Sequence, residues 1–455
     1  MEQRAWSFLR ENLVRKNAHL LLELENLFKS NKDKDPVSMT KIRKEREGRK
    51  ERKRTMKGKC IAIDVSKDKS HIQGFKSWDE PISKAIEISH DKEGFDKILE
   101  MADQFGRKEE EKAKVIFEAT GIYHRGLQNY LEQNDIRYYI VNPLQSAKCR
   151  KQDLRTKKTD IRDCKNLAKM YYTMELRETT LEDEKYYTIR QLSRHYEDLL
   201  GHLRKTKVSF NETLDIVYPK YNDVFENIYT TSSMAILKKY PHPNLLARKH
   251  PETLVKQLLK TREHIESWCM TKAEELIHYA KGCASGCKET DINVQIMIEK
   301  LEDVEHYLYL TAKTLENMIQ IAETIPNYKV IQTIPGIGKN LSARIVAEIG
   351  DINRFSGSKQ LIAYAGIDPI IYQSGQIDGL HLRISKKGNK RLRCLLYLAV
   401  AGNLRHKNEL NSIREFYNKK TQQAPPLCAK AASIACANKL LRIIYGMCKT
   451  GTVFK

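Results

Sequence analysis

The chain has 455 residues, of which 41% are hydrophobic, and it carries 80 Lys and Arg against 58 Asp and Glu, a net charge of +22. This length allows two or three domains, and the hydrophobic content excludes a chain that is disordered throughout. The positive charge predicts a polyanionic partner. Nucleic acid is favoured over a membrane surface, because no apolar run approaches the roughly 18 residues of a membrane span.

The first 58 residues form a predicted basic extension. Residues 1–40 favour a short amphipathic helix, and residues 41–59 contain eleven Lys or Arg against three Glu. Two interpretations stay open for the basic part. It is either a solvated linker or an arm that lies on phosphates and releases their counterions.

Residues 59–178 alternate between strand and helix patterns. Short β-branched or alternating runs predict five strands, and two amphipathic segments, 90–106 and 124–135, predict helices. The strands are predicted at 59–66, 69–75, 81–89, 112–120 and 137–143. Three strands, a helix, then strand, helix and strand is the order of an α/β ribonuclease-H-like (RuvC-like) domain.

Residues 179–324 form a predicted helical region. Long helices are expected at 180–215 and 290–322, and apolar residues recur in both at spacings of three and four. Such a seam, sustained for about four heptads, indicates either an antiparallel helical hairpin or an intermolecular coiled coil. Residues 325–455 then form a third, mostly α-helical domain.

Four carboxylates are expected to meet at one edge of the predicted sheet. Asp64 ends the first strand, Glu118 ends the fourth, and Asp160 and Asp163 lie three apart on a following helix. Each alone is typical of a cap or a surface ion pair. Together they would repel one another unless cations neutralise them, and oxygen ligands suit Mg²⁺ or Mn²⁺. The pattern therefore predicts a divalent-metal site able to act on a phosphodiester.

The third domain contains a Pro-Gly turn, TIPGIGKNLSARIVAEIG, over residues 333–350. This pattern is typical of a helix-hairpin-helix, in which Gly336 and Gly338 let a phosphate approach the following helix start beside Lys339. The alternative is a tight turn between helices with no ligand. A basic run at the start of a later helix is a second candidate nucleic-acid contact: Lys386, Lys387, Lys390, Arg391 and Arg393.

Two serines lie in the same domain, Ser374 in YQSG and Ser385 in ISKKGN. A loop serine followed by glycine usually indicates only turn chemistry, so spacing alone does not make Ser374 a nucleophile.

These motifs together resemble the DEDD transposases of IS110-type insertion sequences. The resemblance rests on AIDVSK, FEATGIYHRGLQNYL, VNPLQ, KTDIRD, IPGIGKNLSARIVAEIGDINRF, SKQLIAYAGIDP, YQSG and ISKKGNKRLR. It implies a RuvC-like domain, a coiled-coil insert and a C-terminal transposase domain. It also implies that Asp64, Glu118, Asp160 and Asp163 bind Mg²⁺ (or Mn²⁺). A serine of the last domain would then form a covalent phosphoserine with DNA. Ser374 fits that position best, and Ser385 is the second choice.

The resemblance also implies partners. These are the DNA of the element ends and target, a structured guide RNA, and further copies of the chain in a dimer or tetramer that assembles the site across protomers. It places the protein in the prokaryotic cytoplasm, associated with the nucleoid. Two features depart from the family pattern: the 58-residue extension, and Cys164 where alanine is usual.

Two other functions are compatible with parts of the pattern. A metal-dependent nuclease or Holliday-junction resolvase would use the same carboxylates with water as nucleophile. A domesticated, non-catalytic transposase would use only its basic surfaces. The intact set of four carboxylates and the serine favour the recombinase.

Overall fold

The computed structural model shows two compact units, Met1–Leu181 and Glu182–Lys455. The residues that it describes are 58–106, 112–150, 160–176, 178–179, 183–261, 264–370, 373–374, 377–378, 383–405 and 411–454. The predicted helix and basic arm of residues 1–57 lie outside this part of the chain, as do the side chains of Asp160 and Ser374.

The first unit is built on a mixed five-stranded sheet. Its strands are β1 (Cys60–Val65), β2 (Lys69–Phe75), β3 (Ile86–Ser89), β4 (Lys114–Glu118) and β5 (Tyr138–Val141). Their order across the sheet is β3-β2-β1-β4-β5. β1 runs parallel to β4, and β4 runs parallel to β5, whereas the β1–β2 and β2–β3 pairs are antiparallel. The five predicted strands and their α/β class are confirmed, except that the third strand begins at Ile86 rather than at residue 81.

Helices cover both faces of this sheet. They are α1 (Lys92–Gln104), α2 (His124–Gln133), α3 (Pro143–Arg150) and α4 (Asp160–Thr173). Along β1, Ile61 and Ile63 belong to the core that contains side chains of α1 and α2, while Cys60 and Ala62 belong to the core that contains those of α3 and α4. Successive residues of a strand point to opposite faces, and each fully buried aliphatic side chain stabilises the fold by about 1.5–3 kcal/mol.

The second unit is helical. Its helices up to the Pro-Gly turn are α5 (Glu184–Val217), α6 (Thr231–Lys239), α7 (Pro243–Ala247), α8 (Pro251–Leu259), α9 (Glu266–Gly282), α10 (Ile292–Glu323) and α11 (Pro326–Gln332). The later helices are α12 (Lys339–Ile349), α13 (Ser358–Ala365), α14 (Lys390–Arg405), α15 (Ser412–Gln422) and α16 (Ala429–Thr450). None of the described helices is both long enough and apolar enough to cross a membrane.

The two long helices, α5 and α10, pack against each other within one chain. Lys300 Nζ donates to Thr213 Oγ1 at 2.6 Å near one end, and His202 stacks on Tyr307 further along, so the helices run antiparallel. The seam residue Leu301 is fully buried in the core that the helical insert forms. Of the two interpretations of the seam, the antiparallel helical hairpin therefore matches the packing of α5 and α10.

A separate core holds the C-terminal helices together. It joins α11 to α16 with the adjoining ends of α5 and α10. The turn between α11 and α12 contains Gly336 at φ +82°, against which the backbone of Gly402 and Asn403 in α14 packs closely. A Cβ at Gly336 would lie 2.3 Å from Asn403 N, so only glycine fits this approach.

Candidate functional site

Strand alternation places two of the predicted carboxylates on the same face of the sheet. Asp64 lies two residues after Ala62, and Glu118 two residues after Ile116, and both apolar residues belong to the core beneath α3 and α4. Because β1 and β4 are parallel neighbours, their carboxyl ends meet at one edge of the sheet. Asp64 and Glu118 are both half-buried there.

The third carboxylate comes from α4. This helix packs on the sheet through Cys164, whose Sγ donates to the carbonyl of His71 at 3.2 Å. Asn166 ties it to α3, with Nδ2 donating to Ser146 Oγ at 3.3 Å. Asp163, next to Cys164, is only 7% exposed. The side chain of Cys164 is fully buried.

A guanidinium lies among these carboxylates. Arg150, the last residue of α3, donates from Nη1 to Asp163 Oδ1 at 3.0 Å, and its Nη2 lies 4.0 Å from Glu118 Oε2. Burial acts to lower the pKa of Arg150, but the hydrogen bond and charge of Asp163, with the charges of Glu118 and Asp64, outweigh it and raise that pKa overall. Arg150 thus experiences the charge of three carboxylates from β1, β4 and α4.

The donor set fits a divalent cation in its chemistry. The candidate ligand atoms are all oxygens of three negatively charged side chains, and the single positive charge of Arg150 offsets only part of that charge. Among the described side chains, however, no group of three or more His, Cys, Asp or Glu is close enough to bind one metal ion. Asp160 begins α4 one turn before Asp163, but its side chain lies outside the described part. Asp163 and Glu118 therefore lie against a guanidinium and would have to move closer together to bind a smaller ion.

The predicted nucleophile lies on a hairpin in the second unit. Two short strands, β6 (Gln373–Ser374) and β7 (Ile377–Asp378), pair antiparallel, with Ser374 opposite Ile377. Ser385 lies nearer the base of this hairpin, where its backbone N–H donates to the carbonyl of Asp368 at 2.8 Å and its hydroxyl donates to the Asp368 carboxylate at 2.6 Å. Ser385 is thus held by Asp368 through both its backbone and its side chain.

The basic run before and in α14 divides into two groups. Arg391 pairs with Glu197 at 2.7 Å, and Arg393 donates to the carbonyl of Ala365 at 2.8 Å, so both guanidiniums are used within the chain. The other three are exposed: Lys386, Lys387 and Lys390. If this run binds nucleic acid, as predicted, the three exposed lysines are the residues expected to contact it.

The start of α12 borders a depression of about 370 Å³ lined by Gly338, Lys339, Asn340, Leu341 and Arg344. Gly338 and Lys339 are exposed, and no atom would obstruct a Cβ at Gly338. Gly336, by contrast, serves packing within the chain. The predicted phosphate contact therefore depends on the helix start at Gly338 and Lys339, and the helix-hairpin-helix assignment stays a prediction.

A buried carboxylate near this helix was not expected from the sequence. Glu348 of α12 is fully buried, and it accepts hydrogen bonds from Arg194 of α5 at 3.3 Å and from Asn389 Nδ2 at 2.6 Å. It therefore ties α5, α12 and the residue preceding α14 together. A lone Glu in the apolar run IVAEIG was the only sequence signal for it.

Sequence reasoning also missed Arg150. It is one of 80 Lys and Arg, and neither its spacing nor its neighbours distinguish it from the rest. Only the packing of α3 beside α4 brings it to the carboxylates.

Comparison with known proteins identifies the family. Residues 61–219 match a DEDD transposase model of the IS110 type, and residues 328–418 match the model described as transposase IS116/IS110/IS902 family. The chain belongs to the IS110 family of transposases. The two matched regions contain Asp64, Glu118, Asp160, Asp163 and Ser374.

Individual relatives in this family share limited identity with the chain. The transposase for insertion sequence element IS1111A of Coxiella burnetii is 32% identical over 132 residues, 29% of this chain and 35% of the relative. The pilin gene-inverting protein of Moraxella lacunata is 28% identical over 43% of this chain and 57% of the relative. The insertion element IS116 protein of Streptomyces clavuligerus is 23% identical over 59% and 65%. The chain thus spans between about a third and two thirds of the length of these relatives.

Proposed function

We propose that this protein is a DNA transposase or recombinase that cleaves and exchanges strands with the help of a divalent cation and a covalent phosphoserine intermediate. The observation that carries the proposal is that Arg150 contacts Asp163 of α4 and Glu118 of β4 and is also acted on by the charge of Asp64 of β1. Membership of the IS110 family supports the assignment to DNA rearrangement.

Asp64, Glu118, Asp160 and Asp163 would hold Mg²⁺ or Mn²⁺, which when bound supplies positive charge against the phosphate and favours the deprotonated form of a nearby hydroxyl. The side chains themselves place that charge. Asp163 is held in a buried position by α4, and Glu118 and Asp64 are held by neighbouring strands. Rigid elements of this kind fix the position of a phosphodiester better than loops do.

The nucleophile in this proposal is Ser374. Its Oγ attacks the scissile phosphorus, the P–O bond to one DNA oxygen breaks, and the proton of the serine passes through solvent to that leaving oxygen. Attack by a hydroxyl of another strand on the phosphoserine then restores the serine and joins the strands. Ser374 is preferred to Ser385 because Ser374, in YQSG, fits the serine position of the family motif best.

The proposed partners are the DNA of the element ends and target, a structured guide RNA, and further copies of the chain in a dimer or tetramer. The net charge of +22 and the exposed lysines before α14 support a polyanionic partner. The name of the Moraxella relative, a pilin gene-inverting protein, supports strand exchange over simple hydrolysis. The seam of α5 and α10 is buried within the chain, so protomers would associate through another surface.

A covalent-trapping assay tests the reaction. The full chain, purified with its co-purifying RNA, is incubated with element-end DNA and Mg²⁺, denatured, and examined for DNA-linked protein. We expect an adduct with the wild type, and its yield should fall at least about 100-fold in Ser374→Ala and in Asp163→Asn. Ser385→Ala is the matched control and retains the adduct.

Other outcomes assign other functions. Cleaved DNA without any adduct would support a water-using nuclease or Holliday-junction resolvase. An adduct that persists in Ser374→Ala but disappears in Ser385→Ala would move the nucleophile to Ser385. DNA binding without cleavage, unchanged by Asp163→Asn, would support a non-catalytic nucleic-acid-binding protein.

A further inference from the structure

Arg150 is placed where its charge can substitute for a metal ion. Its guanidinium is hydrogen-bonded to Asp163, lies 4.0 Å from Glu118, and is also acted on by the charge of Asp64. The side chain is 33% exposed, so one side of it faces solvent while the other contacts the carboxylates. These three carboxylates are among the four predicted metal ligands.

Electrostatics requires such a cation. Three carboxylates that converge at a partly buried sheet edge repel one another, and this repulsion opposes folding unless positive charge balances it. A forked guanidinium can contact two carboxylates at once, which a lysine ammonium does less well. A divalent ion bound by Asp163 and Glu118 would claim the same oxygens that Arg150 now contacts.

We propose that Arg150 is a positioning residue that holds Glu118 and Asp163 in place before the divalent cation binds, and that the cation displaces it from them. This inference depends on the metal site of the proposed function. It explains why a positive charge lies among these carboxylates, although no three of the described ones are close enough together to bind an ion. The anchoring of α3 by the buried Cys149 and Ser146 keeps Arg150 beside α4 throughout.

Metal affinity is the first test. Mn²⁺ binding to the full chain, freed of nucleic acid, is measured by titration calorimetry for the wild type, Arg150→Ala, Arg150→Lys and Lys148→Ala. Lys148 is the matched control, because it is an exposed cation on the same short helix. We expect Arg150→Ala to bind Mn²⁺ roughly tenfold more tightly, equivalent to about 1.4 kcal/mol, Arg150→Lys to lie between it and the wild type, and Lys148→Ala to match the wild type.

Thermal stability is the second test, and it separates this role from a merely structural one. In EDTA, Arg150→Ala should melt about 2–4 °C below Lys148→Ala, since three carboxylates lose their counter-charge. Saturating Mn²⁺ should remove that difference, because the ion takes over the neutralisation. A structural arginine would give the same difference with and without Mn²⁺, and this result would overturn the proposal.

The remaining outcomes are distinct from failure of the proposed function. Absence of Mn²⁺ binding to the wild type would overturn the metal site and this inference together. Normal binding by the wild type, with equal or weaker affinity in Arg150→Ala, would overturn only the role of Arg150. If Arg150→Ala does not fold, Arg150→Lys decides: tighter Mn²⁺ binding than the wild type supports displacement, and unchanged or weaker binding contradicts it.

Discussion

At the scale of single residues, the two glycines of the Pro-Gly turn have different roles. Gly336 adopts φ +82° and lets the α11–α12 turn touch the backbone of α14, whereas Gly338 caps α12 at φ −83° with open space around it. The first is therefore required by packing. The second leaves the free N–H groups of the helix start accessible to an anion.

Substitution at these two glycines should have very different effects on stability. Gly336→Ala places a Cβ 2.3 Å from Asn403 N in a left-handed conformation, so we expect a loss of about 3 kcal/mol in the free energy of unfolding. Urea denaturation measures this. Gly338→Ser is the control and should leave stability within about 0.5 kcal/mol, because serine is a good N-cap. A stable Gly336→Ala variant would show that the turn can rearrange.

At the scale of elements, the long α5–α10 hairpin is held by its own apolar seam. Ile189 of α5 lies in the same core as Met318 of α10, and Phe210 in the same core as Leu301, so the seam runs the length of both helices. All four of these side chains are fully buried. Helices of this length gain most of their stability from such packing rather than from helix propensity.

Truncating the seam should destabilise the single chain. Leu301→Ala removes a fully buried side chain and should cost about 2–5 kcal/mol of unfolding free energy. Val208→Ala, at a side chain 60% exposed on α5, should cost less than about 0.5 kcal/mol. The loss at Leu301 should be the same at two protein concentrations tenfold apart. A loss that grows on dilution would instead indicate a seam shared between chains.

At the scale of the whole molecule, the excess of positive charge is unevenly distributed along the chain. Residues 41–59 alone contain eleven Lys or Arg, while the residues that line the candidate site contribute three carboxylates against Arg150. The net positive charge of the protein would thus attract a polyanion. At the candidate site, however, the polyanion would meet a negatively charged edge of the sheet. Such an edge binds phosphate only when cations intervene.

The salt dependence of nucleic-acid binding tests the contribution of the basic segment. Changing the Lys and Arg of residues 41–57 to Gln should flatten the plot of log K against log salt by about 0.9 for each lost contact with a duplex phosphate. Filter binding or fluorescence anisotropy between low and moderate salt measures the slope. A control in which the same Lys and Arg are exchanged for one another keeps the charge and should keep the slope. An unchanged slope in the Gln variant would identify the segment as a solvated linker.

Much of the first unit could be predicted from local patterns. The predicted strands at 59–66 and 69–75 correspond to Cys60–Val65 and Lys69–Phe75, because alternation and β-branched residues report directly on burial of a sheet. The third strand was expected from residue 81 but begins at Ile86, since Pro81 forms only an isolated bridge to Phe75. The placement of Asp64 and Glu118 at one edge followed from the strand order.

The amino-acid sequence by itself determined the strands, the long helices, the family motifs and the carboxylates at strand ends, because these depend on periodicity and neighbours within a few residues. Only the tertiary structure decided that Arg150 lies among those carboxylates, that Glu348 is buried against Arg194, and that the α5 and α10 seams face each other. These contacts join segments far apart in the chain. Long-range packing chooses their partners, and no local pattern encodes that choice.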